Sequence, residues 1–147
     1  MTVRLAGPPD ASGMPAVDVG LLRSRARRIL AALGHARSEL SLTLTDDAGI
    51  AELNRAWRGK RGPTDVLSFS LQEGAHADRR GPLLGDVVIG VEQAARQARA
   101  AHRGLDRELA VLTIHGVLHL LGHDHERVDE AKAMQAEERR LRRVLGL

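Results

Sequence analysis

The sequence predicts an α+β fold in a single domain, residues 1–147, built as a mixed sheet of three to four strands surrounded by about five to six helices. Three observations carry that expectation. Leu40, Leu42 and Leu44 alternate with Ser41, Thr43 and Thr45, the period of a half-buried strand, while several other stretches repeat their apolar residues at helical spacing. Hydrophobic residues make up 43% and charged residues 28%, an ordinary globular balance. The 147 residues match one domain at roughly 150 residues each and can bury a core without disulfides.

The elements follow in order. Asp18 stands before Val19, Leu22, Ala26, Ile29, Leu30 and Leu33, one face of a helix with a capping acceptor at its start and Gly34 as its stop. The alternating leucines form the next strand. Asp46 or Asp47 caps a short helix whose Ile50, Leu53 and Trp57 share a face, ended by Gly59 and Gly62-Pro63, so Trp57 is expected in the core. Val66 to Leu71 reads as a strand with Leu67, Phe69 and Leu71 on one side. A polar loop, residues 72–82, leads to a strand over Leu84 to Gly90, whose Val-Val-Ile run implies burial on both faces. Val91 to His102 is an alanine-rich helix turning Val91, Ala94, Ala95, Ala98 and Ala101 inward. Asp106 caps the next helix, from about Arg107 to Leu121, which is apolar nearly all round and should run through the core. From Glu126 a last helix aligns Val128, Ala131, Met134, Leu141 and Leu145, and Thr2–Ala6 is a candidate for an extra strand.

Composition removes several functions. The absence of cysteine excludes a disulfide scaffold, a thiolate zinc finger, an iron–sulfur cluster and a cysteine nucleophile, and it fits a reducing cytoplasm. Residues 1–13 hold no apolar run of signal-peptide length, and no window reaches about 18 uninterrupted apolar residues, so a cytoplasmic protein with no membrane partner is expected. Arginine supplies 20 of the 22 basic residues, against 19 acidic ones, and the pI is near 10.4. Asn54–Gly62 alone holds Arg55, Arg58, Lys60 and Arg61 with no acid, a cluster that either attracts phosphate backbones or simply solvates the surface. The clusters at Arg23–Arg28 and Arg139–Arg143 allow the same two readings, the second being interleaved with Glu137 and Glu138 like a solvated helix face. Because Trp57 and Phe69 are the only Phe, Tyr or Trp residues, a base-stacking platform is not expected, and arginine would carry any nucleic-acid binding.

Four of the seven histidines fall in His115-Gly-Val-Leu-His119-Leu-Leu-Gly122-His123-Asp124-His125. His115 and His119, four apart on the apolar helix, project from one face a turn apart. Gly122 can supply a left-handed turn that stops the helix and folds the chain back, bringing His125 toward the pair. Three neutral imidazoles with an open fourth position form the ligand set of a catalytic zinc site. A single histidine on an apolar helix is ordinarily a satisfied core residue, but unligated imidazoles here would each cost about 1–3 kcal/mol in desolvation, which ligation removes. The spacing coincides with that of the metzincin proteases, His-Glu-x-x-His-x-x-Gly-x-x-His, yet Gly116 replaces the glutamate that acts there as general base.

The histidine segment resembles the signature of the YbeY family of metal-dependent bacterial endoribonucleases. Asn54-Arg-Ala-Trp-Arg58-Gly-Lys-Arg-Gly-Pro63-Thr-Asp65-Val-Leu-Ser-Phe69 is similar to a second block of that family, Gly85-Asp86-Val-Val-Ile89 to a third, and the likeness runs from about residue 18 to the end. The resemblance implies a mixed sheet with helices around it and one Zn2+ per chain held by His115, His119 and His125. It implies cleavage of single-stranded RNA in ribosomal RNA maturation and ribosome quality control, with ribosomal RNA or the small ribosomal subunit as partner, and it assigns activity to Arg58. Three departures stand out: His123 where the family often has tyrosine, Ser70 where it often has proline, and a longer N-terminus.

In the mechanism these residues suggest, the planar guanidinium of Arg58 meets two phosphoryl oxygens of the transition state. Asp124, between His123 and a ligand histidine, is the carboxylate taken as catalytic, with His123, Asp65 and Asp86 as other candidates for the general base. The alternatives are a non-enzymatic ribosome- or RNA-binding factor braced by zinc, and another zinc hydrolase such as a metalloprotease.

Overall fold

The computed structural model describes residues 2–6, 14–70, 83–123 and 126–147. Its elements are β1 (Thr2–Ala6), α1 (Val19–Ala32), β2 (Glu39–Thr45), α2 (Asp47–Arg58), β3 (Val66–Ser70), β4 (Leu83–Gly90), α3 (Val91–Ala100), α4 (Leu105–Leu120) and α5 (Val128–Leu145). The expected α+β fold therefore forms, with four strands and five helices among the described residues, and the candidate strand at Thr2–Ala6 is real. None of these helices is long and apolar enough to cross a membrane.

The sheet runs β1-β2-β4-β3. β1, β2 and β4 are parallel, and β3 is antiparallel against β4 at the edge. In β2 the alternation resolves as the sequence predicts, with Leu40, Leu42 and Leu44 buried between half-buried neighbours. Val87, Val88 and Ile89 of β4 are all buried because helices cover both faces. α4 packs on β3 and β4 from one side, joined by α1, α3 and α5, and α2 packs on β2 and β4 from the other.

Local chemistry fixes the helices. The Asp18 side chain accepts from the Leu21 N–H at 3.0 Å, starting α1, whose Leu22, Ala26, Ile29 and Leu30 enter the main core. Each large aliphatic side chain buried there contributes about 1.5–3 kcal/mol. α4 starts two residues earlier than its sequence suggests, with Gly104 at the cap and Asp106 in the first turn, where a carboxylate still faces the positive end of the helix.

Three expectations about burial fail. Trp57 is 67% exposed rather than in the core. α2 buries Ile50 and Asn54 instead, the latter donating to the Gly62 carbonyl at 3.0 Å, and the indole in its last turn meets Phe69 of the edge strand β3 edge to face. Val128 is 75% exposed because α5 makes its buried contacts further on, through Met134, Leu141 and Leu145. Ala101 is exposed because α3 stops at Ala100 and the chain turns through His102 at φ 53°. Leu71 and the loop at 72–82 lie outside the described residues.

Candidate functional site

α4 is buried on most sides, and its half-buried stripe is Val111, His115 and His119, each four residues from the next. Its two histidines line a cavity of about 700 Å³ together with Arg58, Lys60, Asp65, Glu126 and β3. The two imidazoles meet edge to face, centroids 4.6 Å apart and planes at 72°, with their Nε2 atoms 3.0 Å apart.

Glu138 of α5 completes this arrangement. Its Oε1 lies 3.0 Å from His115 Nδ1, and both side chains are partly shielded, at 21% and 34% exposure. With the carboxylate as acceptor, Nδ1–H donates and Nε2 keeps its lone pair on the cavity side. A carboxylate behind a ligand histidine fixes its tautomer and ring orientation in metal sites generally. Sequence reasoning placed Glu138 on a solvated face, since it lies 23 residues from His115 among arginines and glutamates. The one usable signal was its position four residues after Met134, on the side of α5 that turns inward.

Two glycines shape the segment. A Cβ on Gly116 would stand 2.7 Å from Val87 Cγ1 and 3.3 Å from Ser68 Oγ, and the Ser68 hydroxyl donates to the Gly116 carbonyl at 2.9 Å. Position 116 is where α4 presses on the sheet, so the glutamate of a metzincin has no room there. Gly122, at φ 91°, stops the helix: its N–H donates to the His119 carbonyl and that of His123 to the Leu118 carbonyl, both at 3.0 Å. This paired closure is the Schellman turn.

Arg58 ends α2 and reaches over β3. Its Nη2 donates to the Ser68 carbonyl at 2.6 Å, and its guanidinium carbon lies 4.7 Å from the centroid of the Phe69 ring. Of the other basic residues in that cluster, Lys60 also lines the cavity, while Arg55 pairs with Glu52. Arg25, Arg28 and Arg140 donate to the carbonyls of Asp106, Val144 and Ala32, so members of the two outer arginine clusters tie helices together.

The structure thus brings Arg58, His115, His119 and the candidate base Asp65 to one cavity. His125 and Asp124 lie outside the described residues, and among those described no group of three His, Asp or Glu side chains could hold a metal ion. His123 lines a separate depression with Gly122 and Glu130. Asp65, at the cavity lining, also braces its own turn, accepting from the Val66 N–H at 2.8 Å and from Gln97 Nε2 at 3.2 Å, whereas Asp86 faces a groove on the α2 side of the sheet. The histidine pair suits zinc: two nitrogens bound to one tetrahedral ion at about 2.0–2.1 Å stand about 3.3 Å apart. The observed 3.0 Å is close to that separation.

Comparison with known proteins agrees with this architecture. The family model described as Endoribonuclease YbeY matches residues 17–146. Proteins named Endoribonuclease YbeY from Anaeromyxobacter sp. (strain Fw109-5), Geobacter sulfurreducens and Pelotomaculum thermopropionicum are 52%, 46% and 46% identical over 126, 122 and 135 residues. These alignments cover 86%, 82% and 88% of this chain and 64%, 81% and 89% of the relatives, so the chain spans less than two thirds of the Anaeromyxobacter protein. The solution structure of TM1509 from Thermotoga maritima superposes with a TM-score of 0.62 at 23% identity, covering 97% of this chain and 89% of that one, a likeness of fold. With its four-stranded sheet, its histidine pair on the buried helix and a family match over nearly its whole length, the chain belongs to the YbeY family.

Proposed function

We propose that the protein is a zinc-dependent endoribonuclease of the cytoplasm that cuts single-stranded RNA in ribosomal RNA maturation and ribosome quality control. The single observation that carries this reading is the cavity whose lining joins two imidazoles, their Nε2 atoms 3.0 Å apart, with the Arg58 side chain held on β3. Family membership and the name borne by the relatives support the choice of RNA as substrate. On this reading His115 and His119 hold one Zn2+ together with His125, and Asp124 serves as the nearby carboxylate. When bound, zinc supplies Lewis acidity toward a phosphoryl oxygen and lowers the pKa of water toward neutrality.

The chain's own residues do the rest. Hydrolysis forms a new P–O bond from water, breaks the P–O bond to the leaving ribose oxygen and returns a proton to that oxygen. Arg58 orients the phosphoryl group and offsets its growing negative charge, with a guanidinium held in place by the Ser68 carbonyl and the Phe69 ring. Lys60 adds a second positive charge on the same wall. Glu138 keeps the His115 lone pair aimed into the cavity. Asp124 is proposed to take the proton from the attacking water.

The test is cleavage of a labelled single-stranded RNA by the purified protein with and without a chelator, beside Arg58→Ala and His119→Ala from the same preparation. Activity lost under all three conditions is the expected result. Equal cleavage in all four samples, or none by the zinc-loaded wild type, overturns the reading.

A further inference from the structure

Trp57 and Phe69 are the whole aromatic complement of the chain apart from its histidines, and the fold sets them edge to face with centroids 6.2 Å apart. Trp57 nevertheless remains 67% exposed. A large apolar ring left in water at the end of a helix is the kind of surface that marks a binding site. Beside it opens a groove of about 350 Å³ walled by Leu53, Val88 and Phe69, with Asp86 at its side. Phe69 is also a wall of the histidine cavity, and the Arg58 guanidinium lies over its ring. Groove and cavity are therefore neighbouring compartments with one ring between them.

The two compartments differ in polarity. The cavity is lined by Arg58 and Lys60 together with Asp65, Glu126 and both histidines, whereas the groove is apolar with one carboxylate and no cation. A nucleotide is divided in the same way, into an anionic phosphate and a flat, uncharged base whose edge carries N–H donors. Asp86 repels the phosphate and accepts from the base; Arg58 attracts the phosphate; the indole offers a face on which any base can stack. Building on the ribonuclease reading above, we propose that the Trp57–Phe69 groove is a nucleobase subsite. The base beside the phosphate at Arg58 stacks on Trp57 with its edge turned toward Asp86. Two aromatic residues thus make the platform that their low number argued against.

Because Trp57 is the only tryptophan, its fluorescence reports on this groove alone. The full-length protein is titrated with a 2′-O-methyl, phosphorothioate single strand that resists cleavage, and with an abasic strand of the same length and charge. Binding is followed by anisotropy of a label on the strand. The base-containing strand is expected to quench Trp57 and to bind about 5- to 150-fold more tightly than the abasic one. Trp57→Ala is expected to remove that difference and Trp57→Phe to restore most of it. Binding that leaves Trp57 emission unchanged and is insensitive to Trp57→Ala overturns the subsite while the ribonuclease reading stands, and assigns the exposed indole to a protein partner instead. No binding of either strand overturns both.

Discussion

Replacing Glu138 with alanine isolates what the carboxylate behind His115 contributes to the proposed zinc site. The bond is 3.0 Å long between side chains 34% and 21% exposed, so it is partly shielded from water without being sealed from it. A hydrogen bond with one charged partner is worth about 1.5–3 kcal/mol, which converts to roughly a 10- to 150-fold change in an equilibrium constant. Partial exposure favours the lower part of that range. Loss of an outer carboxylate in known metal sites costs about 10- to 100-fold in affinity, in agreement. Glu138→Ala is therefore expected to raise the zinc Kd about 10- to 100-fold, measured by competition with a chromogenic chelator. Glu138→Gln, which keeps an acceptor oxygen but not the charge, is expected between the two. Nitrogen NMR of the metal-free ring should place the His115 proton on Nδ1 in the wild type and show a mixture of the two neutral tautomers in Glu138→Ala. A zinc affinity equal to wild type together with an unchanged tautomer refutes the reasoning; a drop in melting temperature alone would make Glu138 a tie between α4 and α5 and nothing more.

Gly116→Ala drives a Cβ to 2.7 Å from Val87 Cγ1, on a strand that cannot retreat, and the overpacking of about 1–3 kcal/mol outweighs the gain of about 0.5–1 kcal/mol from replacing a helical glycine. The denaturant midpoint should fall with the slope unchanged. Arg58→Lys keeps the charge but gives up the planar fork that reaches the Ser68 carbonyl and covers Phe69, so RNA cleavage should fall at least about tenfold; wild-type kinetics would argue against the role given to the guanidinium. The Arg55 guanidinium, by its hydrogen bond and its charge, holds the Glu52 carboxyl below the usual carboxylate range. The small stability this adds is present above the unfolded-state value and lost as pH falls through the lower folded-state value. The melting-temperature gap between wild type and Glu52→Gln should accordingly close in acid, and salt should narrow it at neutral pH.

Much of this molecule is legible in its sequence because the signals are local. The leucine alternation of β2, the Asp18 cap and the left-handed stop at Gly122 each need only a few neighbouring residues, and each forms as read. The His115–His119 pair is equally local, since the helical repeat alone puts both rings on one side. What was misread depends on where an element meets the rest of the fold. Trp57 has the spacing of a core residue, but whether a sheet lies beneath the last turn of α2 cannot be read from α2. Glu138 looks like any charged residue on an arginine-rich helix until α5 is laid against α4. Gly116 was read only for the protease base it lacks, while the close packing of α4 on Val87 at that position is a matter of tertiary structure.

The hold of Arg58 on the Ser68 carbonyl has a consequence beyond chemistry. β3 closes one side of the sheet, and such a rim offers its backbone groups to any other chain that can pair with it. Arg58 occupies one of those groups and spreads a charged, branched side chain across the rim. The side chain proposed to meet the substrate thus also discourages molecules of this protein from joining strand to strand. A variant that shortens it can lose activity by self-association as well as by lost contact with RNA, and light scattering belongs beside every kinetic measurement made on it.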